Sequence, residues 1–124
     1  MSTELLQGSC HCGAVKFEVR TAVAPAIRCN CSFCRRKGFL MSPPFVEGDL
    51  EILSGENSLS TYQFNTRVAK HYFCKHCGIH PFLQTPMGPG AWRVNIGCLE
   101  GIDPYAYEAG LVDGASLPVV DGGA

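Results

Sequence analysis

Eight cysteines in 124 residues constrain this chain more than any other feature, because they stand in clusters: Cys10-His11-Cys12, Cys29-Asn30-Cys31-Ser32-Phe33-Cys34, Cys74-Lys75-His76-Cys77, and Cys98 by itself. So many thiols serve as a disulfide framework, as metal ligands or as reactive groups. Residues Met1 to Gly8 carry no basic cluster followed by an apolar run, so no secretory signal is expected there and the cytoplasm is the expected location. Structural disulfides are rare in that reducing compartment. Metal binding is therefore the favoured use.

Spacing divides the cysteines into two kinds of site. A tetrahedral zinc takes four soft ligands at about 2.3 Å, and a C-x-x-C knuckle supplies two thiolates from one tight turn. Cys74 and Cys77 form such a knuckle, with Gly78 permitting the turn, and Cys10 and Cys12 supply a second pair between Gly8 and Gly13. The two pairs make one closed structural site that staples the amino-terminal strands to the middle of the chain. Cys29, Cys31 and Cys34 place three thiolates within six residues with no obvious fourth ligand. Three protein ligands and an open position define a catalytic zinc, and a soft centre of this kind welcomes a further sulfur. A small thiol is the expected visitor, held as a thiolate beside an electrophile. Spacing leaves alternatives open: the three-cysteine cluster could share ligands with either pair, and Cys98 could close it, pack as an inert side chain or react.

The rest of the chain reads as one all-β domain of residues 1–124, with a core of about 5–112 and a mobile tail over 113–124. Turn punctuation is dense, with 14 Gly and 8 Pro, and the periodic segments between are short. Val15, Phe17 and Val19 alternate with Lys16, Glu18 and Arg20, a strand with one buried face. Leu59 to Phe64 and Ala69 to Phe73 suggest a hairpin around Asn65-Thr66-Arg67, and Ile79 to Thr85 and Trp92 to Ile96 suggest further strands on either side of Pro86–Gly90. One short helix is expected over Ser32 to Lys37, capped by Ser32 and stopped by Gly38. The longest apolar stretches fall far short of a membrane span. Net charge −1 is a poor footprint for nucleic acid, which is not expected as a partner.

Beside the cysteines, Arg35 and Arg36, with Lys37, are candidates to attract a substrate carboxylate toward the open zinc, although such a run also suits a solvated helix face. His11 and His76 lie inside the ligand turns and should point outward, whereas His80, on a predicted strand with Phe82, could reach a pocket, a hydrogen-bonded core role being the favoured reading. Tyr62, Phe64, Tyr72, Phe73, Phe82 and Trp92 are mainly core, with a few free to line a cleft.

Together, Gly8-Ser9-Cys10-His11-Cys12-Gly13, the Cys29–Cys34 run, Phe73-Cys74-Lys75-His76-Cys77-Gly78 and Val94-Asn95-Ile96-Gly97-Cys98-Leu99 resemble the glutathione-dependent formaldehyde-activating family, which includes the CENP-V-like proteins. The resemblance runs from about Gly8 to Leu99. It implies an Mss4-like fold of short antiparallel sheets with zinc-binding turns and two zincs per chain. The structural zinc falls on Cys10, Cys12, Cys74 and Cys77, and the catalytic one on Cys29, Cys31 and Cys34. The implied activity is that of a carbon-sulfur lyase, joining glutathione and formaldehyde reversibly into S-hydroxymethylglutathione. Two other classes compete: a non-catalytic zinc module or thiol carrier, and a redox enzyme of the methionine sulfoxide reductase kind with Cys98 as nucleophile.

Overall fold

Alternation along Lys16–Thr21 gives the clearest element of the fold: Phe17, Val19 and Thr21 are buried while Lys16 and Arg20 face solvent. The computed structural model describes residues 3–64, 67–88 and 90–116. In chain order its strands are β1 (Glu4–Ser9), β2 (Lys16–Thr21), β3 (Ala26–Cys29), β4 (Leu50–Ser54), β5 (Leu59–Tyr62), β6 (Lys70–Cys74), β7 (Phe82–Gln84), β8 (Trp92–Val94) and β9 (Ala109–Val112), with one short helix, α1 (Cys34–Lys37). The fold is thus nearly all β. Among the described residues no helix is long and apolar enough to cross a membrane.

Two of the three sheets are antiparallel, β1-β2-β4 and the meander β5-β6-β7-β8. The third is a parallel pair, β3 with β9, running from Ala26 opposite Ala109 to Cys29 opposite Val112. Between the first two sheets lies a core of Phe17 and Val19 from β2, Phe82 from β7 and Trp92 and Val94 from β8, joined by Phe45 and Leu99. Phe17 and Phe82 meet edge to face, with centroids 5.3 Å apart. Fully burying a side chain of this kind contributes about 1.5–3 kcal/mol, so these few residues dominate the adhesion of the two sheets.

Several elements end earlier than the sequence suggests. The strand expected over Ile79–Thr85 shrinks to β7 because Ile79 belongs to the preceding turn, where its carbonyl accepts from the Cys74 amide at 2.9 Å. The strand expected over Trp92–Ile96 stops at Val94, since the Asn95 side chain accepts from the Gly97 amide and starts a 3-10 turn. The hairpin forms with strands Leu59–Tyr62 and Lys70–Cys74, and residues 65 and 66 of its expected loop lie outside the described residues. Ser32 does not cap α1. Phe33 holds the N-cap position without a side-chain bond, and the thiol of Cys31 accepts from the Cys34 amide at 3.2 Å, taking the place a hydroxyl would have filled. Gly38, at φ 69°, ends the helix as expected.

Candidate metal centres

The turn after β1 and the turn after β6 bring four thiols together. Each turn closes on itself: the Gly13 amide donates to the Cys10 carbonyl at 3.3 Å and the Gly78 amide to the Cys74 carbonyl at 2.7 Å. Both glycines take φ near +80°, which side chains disfavour. The sulfurs of Cys10, Cys12, Cys74 and Cys77 all lie within 4.8 Å of one another. Cys10 and Cys12 Sγ are 3.6 Å apart, and Cys12 and Cys74 Sγ 3.7 Å. A tetrahedral Zn–S₄ centre has sulfur–sulfur edges of about 3.8 Å, whereas a disulfide would place sulfurs about 2.0 Å apart. The cluster therefore has the dimensions of a metal site. Its thiols divide: the Ile79 amide holds Cys77 down at about 6 and the Val15 amide, donating to Cys10 Sγ at 3.3 Å, helps lower Cys10 against its burial, while at Cys12 the Ala14 amide is outweighed by burial and the neighbouring thiols, which push it up to about 11.

Cys29 ends β3, Cys31 lies in the turn that follows, and Cys34 opens α1; their three sulfurs also lie within 4.8 Å of one another. Among the described residues no further His, Cys, Asp or Glu joins them. Burial pushes the Cys29 and Cys34 thiols up, with the Lys37 ammonium opposing it at Cys34. At Cys31 burial is outweighed by the Cys34 amide and neighbouring thiols, and the thiol falls below its ordinary value. A divalent cation answers the repulsion among three crowded thiolates, so this donor set fits zinc with one coordination position not supplied by the protein.

Two surroundings of this cluster escape sequence reasoning. The first is the segment after β9. Asn30 holds it from the middle of the ligand run, donating to Asp113 Oδ1 at 3.0 Å and accepting from the Ala115 amide at 2.9 Å. Gly114 is thereby pressed against the cluster, and a Cβ there would stand 2.7 Å from Cys29 Sγ. The expected mobile tail thus begins with residues fastened to the site, while residues 117–124 lie outside the described ones. The second is Lys37. Arg35 and Arg36 are exposed, and Arg36 donates to the Ser32 carbonyl, but Lys37 turns inward. Its Nζ lies over the rings of Phe39 and Phe33, at 4.1 and 4.8 Å from their centroids, and 3.3 Å from His71 Nδ1. Burial brings this amine down to about 8, against the pull of Cys34, Cys31 and Cys29.

Phe33, between two cysteines of the run, anchors an aromatic wall with Tyr62, Phe64 and His71, at centroid distances of 5.0, 5.5 and 4.4 Å. Phe82 and Trp92, by contrast, are core. His11 and His76 are exposed as expected. His80 departs from expectation: it precedes β7, stands half-buried between Phe33 and Phe73, and its buried Nδ1 has no hydrogen-bond partner. Cys98 joins neither cluster. It lies by the four-thiol site, and burial, reinforced by Cys10 and Cys77, pushes its thiol up to about 12. Its place outside the three-thiol cluster leaves it no part as that cluster's fourth ligand, and burial of its thiol disfavours a nucleophilic role.

Comparison with known proteins places the chain in a family. A profile of the family described as "Glutathione-dependent formaldehyde-activating enzyme" matches residues 5–110. The Halomonas elongata protein named "Putative glutathione-dependent formaldehyde-activating enzyme" is 33% identical over 96 residues, covering 68% of this chain and 59% of that protein. The chain thus spans well under two thirds of that relative's length. A crystal structure of a Rhodobacter sphaeroides protein superposes with a TM-score of 0.80 at 42% identity, covering 86% of this chain and 99% of the other.

Proposed function

Because the chain belongs to the glutathione-dependent formaldehyde-activating family, we propose that it is a zinc-dependent carbon-sulfur lyase that adds glutathione reversibly to formaldehyde, giving S-hydroxymethylglutathione. The observation that carries this reading is the contrast between its clusters: four converging thiols in one, three in the other. On this reading Cys10, Cys12, Cys74 and Cys77 hold a structural zinc, and Cys29, Cys31 and Cys34 hold a second, catalytic one. Zinc bound at the latter supplies a Lewis-acidic position at which a thiol is kept as thiolate near neutral pH.

The chain's own residues account for the remainder. Gly114 packs against Cys29 and Cys31, and Phe33, within the ligand run, packs on Tyr62 and His71. The exposed Arg35 and Arg36 remain candidates to attract the carboxylates of glutathione from solvent. In the forward reaction the glutathione sulfur bonds to the formaldehyde carbon, the carbonyl π pair moves to oxygen, and that oxygen takes a proton from solvent. The reverse reaction returns the proton and breaks the carbon-sulfur bond. The reading is of a single domain of residues 1–124 in a reducing, cytoplasmic setting, where clustered thiols stay available as metal ligands.

Exchange NMR with ¹³C-formaldehyde and glutathione tests the proposal against the uncatalysed reaction. Interconversion of formaldehyde and adduct should accelerate in proportion to protein, and the acceleration should vanish in Cys31→Ser. Exchange that stays at the uncatalysed rate with both metals bound would leave a non-catalytic zinc module.

A further inference from the structure

Lys37 is half-buried at the end of α1, and its neighbours are two ring faces and an imidazole. His71 is 3% exposed, and burial, then Lys37 and His80, hold it down at about 3. It is therefore neutral and can accept from the ammonium, not compensate its charge. Lys37 closes the helical turn that Cys34 opens, and the Phe33 ring beneath its ammonium lies between Cys31 and Cys34 in the ligand run. An ammonium desolvated by Phe33 and Phe39 is strained unless an anion stands near it. Three thiolates around a divalent cation carry one net negative charge, and a fourth thiolate makes it two. A half-buried cation one helical turn from a cluster ligand is placed to answer negative charge added there.

We propose that Lys37 is a positioning residue for the thiol substrate: held by His71 and the rings of Phe33 and Phe39, its ammonium compensates the extra negative charge that a substrate thiolate brings to the Cys29–Cys31–Cys34 cluster. This rests on the reading of that cluster as an open thiol-binding centre. The thiol loses its proton to solvent on binding, and Lys37 keeps its own. The role differs from that of a carboxylate clamp because it acts on sulfur, whatever the rest of the thiol carries.

The test uses protein reconstituted with Co²⁺ and follows the sulfur-to-cobalt charge-transfer bands during titration with glutathione and, separately, with 2-mercaptoethanol, which has no carboxylate. Lys37→Met and Lys37→Gln should weaken both thiols by about tenfold, the scale of one compensating charge near a protein surface. Lys37→Arg should restore most of the affinity for both. Retention of two cobalt ions per chain checks that the variants remain assembled. Weakening of glutathione alone would overturn the proposal in favour of a carboxylate contact, and unchanged affinity for both thiols would overturn it outright. If neither thiol alters the spectrum of the unsubstituted protein, the thiol-binding reading itself fails.

Discussion

His71 shows how a single buried side chain sets the protein's response to acid. The native imidazole titrates near 3, whereas an unfolded histidine titrates near about 6.5. Between those values the unfolded chain binds a proton that the native chain refuses. His71 therefore costs nothing above pH ~6.5 and erodes stability as pH falls toward 3, by about 2 kcal/mol at pH 5. His80, lowered to about 4 chiefly by burial, acts with the same sign. Denaturant melts at pH 7 and pH 5 should show a smaller acid loss in His71→Gln than in the unsubstituted protein; equal losses would contradict the assignment. Acid release of metal is common to both proteins and cancels in the difference. Cys98 offers a second check at this scale. Burial, which raises its thiol, should make it resist iodoacetamide at pH 7.5, and mass spectrometry that finds Cys98 rapidly alkylated would restore the redox alternative. The cysteine turns could be read from sequence because their spacing is local, whereas which turns converge could not be read from spacing, since Cys12 and Cys74 stand 62 positions apart. Lys37 could not, because three consecutive basic residues look alike until the phase of a one-turn helix turns the third toward Phe33, Phe39 and His71.

At the scale of elements, β2 was readable because one face meets the core and the other meets water, so its side chains alternate. The β3–β9 pair was not. Ala109, Gly110, Leu111 and Val112 are all exposed, and parallel pairing with Ala26–Cys29 leaves no period of two to detect. Yet this pair delivers the carboxyl-terminal segment to the three-thiol cluster, where Asn30 fastens it and Gly114 packs on Cys29. Its dense glycine and proline suggested a mobile tail, but glycine here permits close approach. Gly114→Ala would put a Cβ 2.7 Å from Cys29 Sγ and 3.0 Å from Cys31 Cβ, so either the segment or the cysteine must move. Elemental analysis of this variant should show loss of about one of two zincs, with the metal at the four-thiol site retained. Full zinc content with undisturbed thiol binding would mean that the segment merely rests on the cluster.

Across the whole molecule, the two thiol clusters, read as metal centres, sit on different mechanical footings. The four-thiol cluster joins residues 62 positions apart, Cys12 and Cys74, and so ties the β1-β2-β4 sheet to the meander at one end of their shared core. A metal held only by the folded chain converts its binding energy into folding energy, and here its ligands come from the turns of both sheets. The three-thiol cluster spans only six residues, so its metal closes a short loop and contributes little to the global fold. The two should therefore leave separately under a chelator. The metal at Cys29, Cys31 and Cys34 should be released first, with thiol binding lost and far-UV circular dichroism unchanged. The metal at Cys10, Cys12, Cys74 and Cys77 should be released later, together with cooperative unfolding. Cys77→Ser, which opens the long loop, should lower Tm by roughly 10 °C or more, whereas Cys31→Ser should shift it by only a few degrees. Equal shifts would show that both centres carry the fold, and that one of them is not free to exchange ligands during turnover. Unequal shifts in the expected order would show how a small core can be stapled by one metal while a second stays open to chemistry.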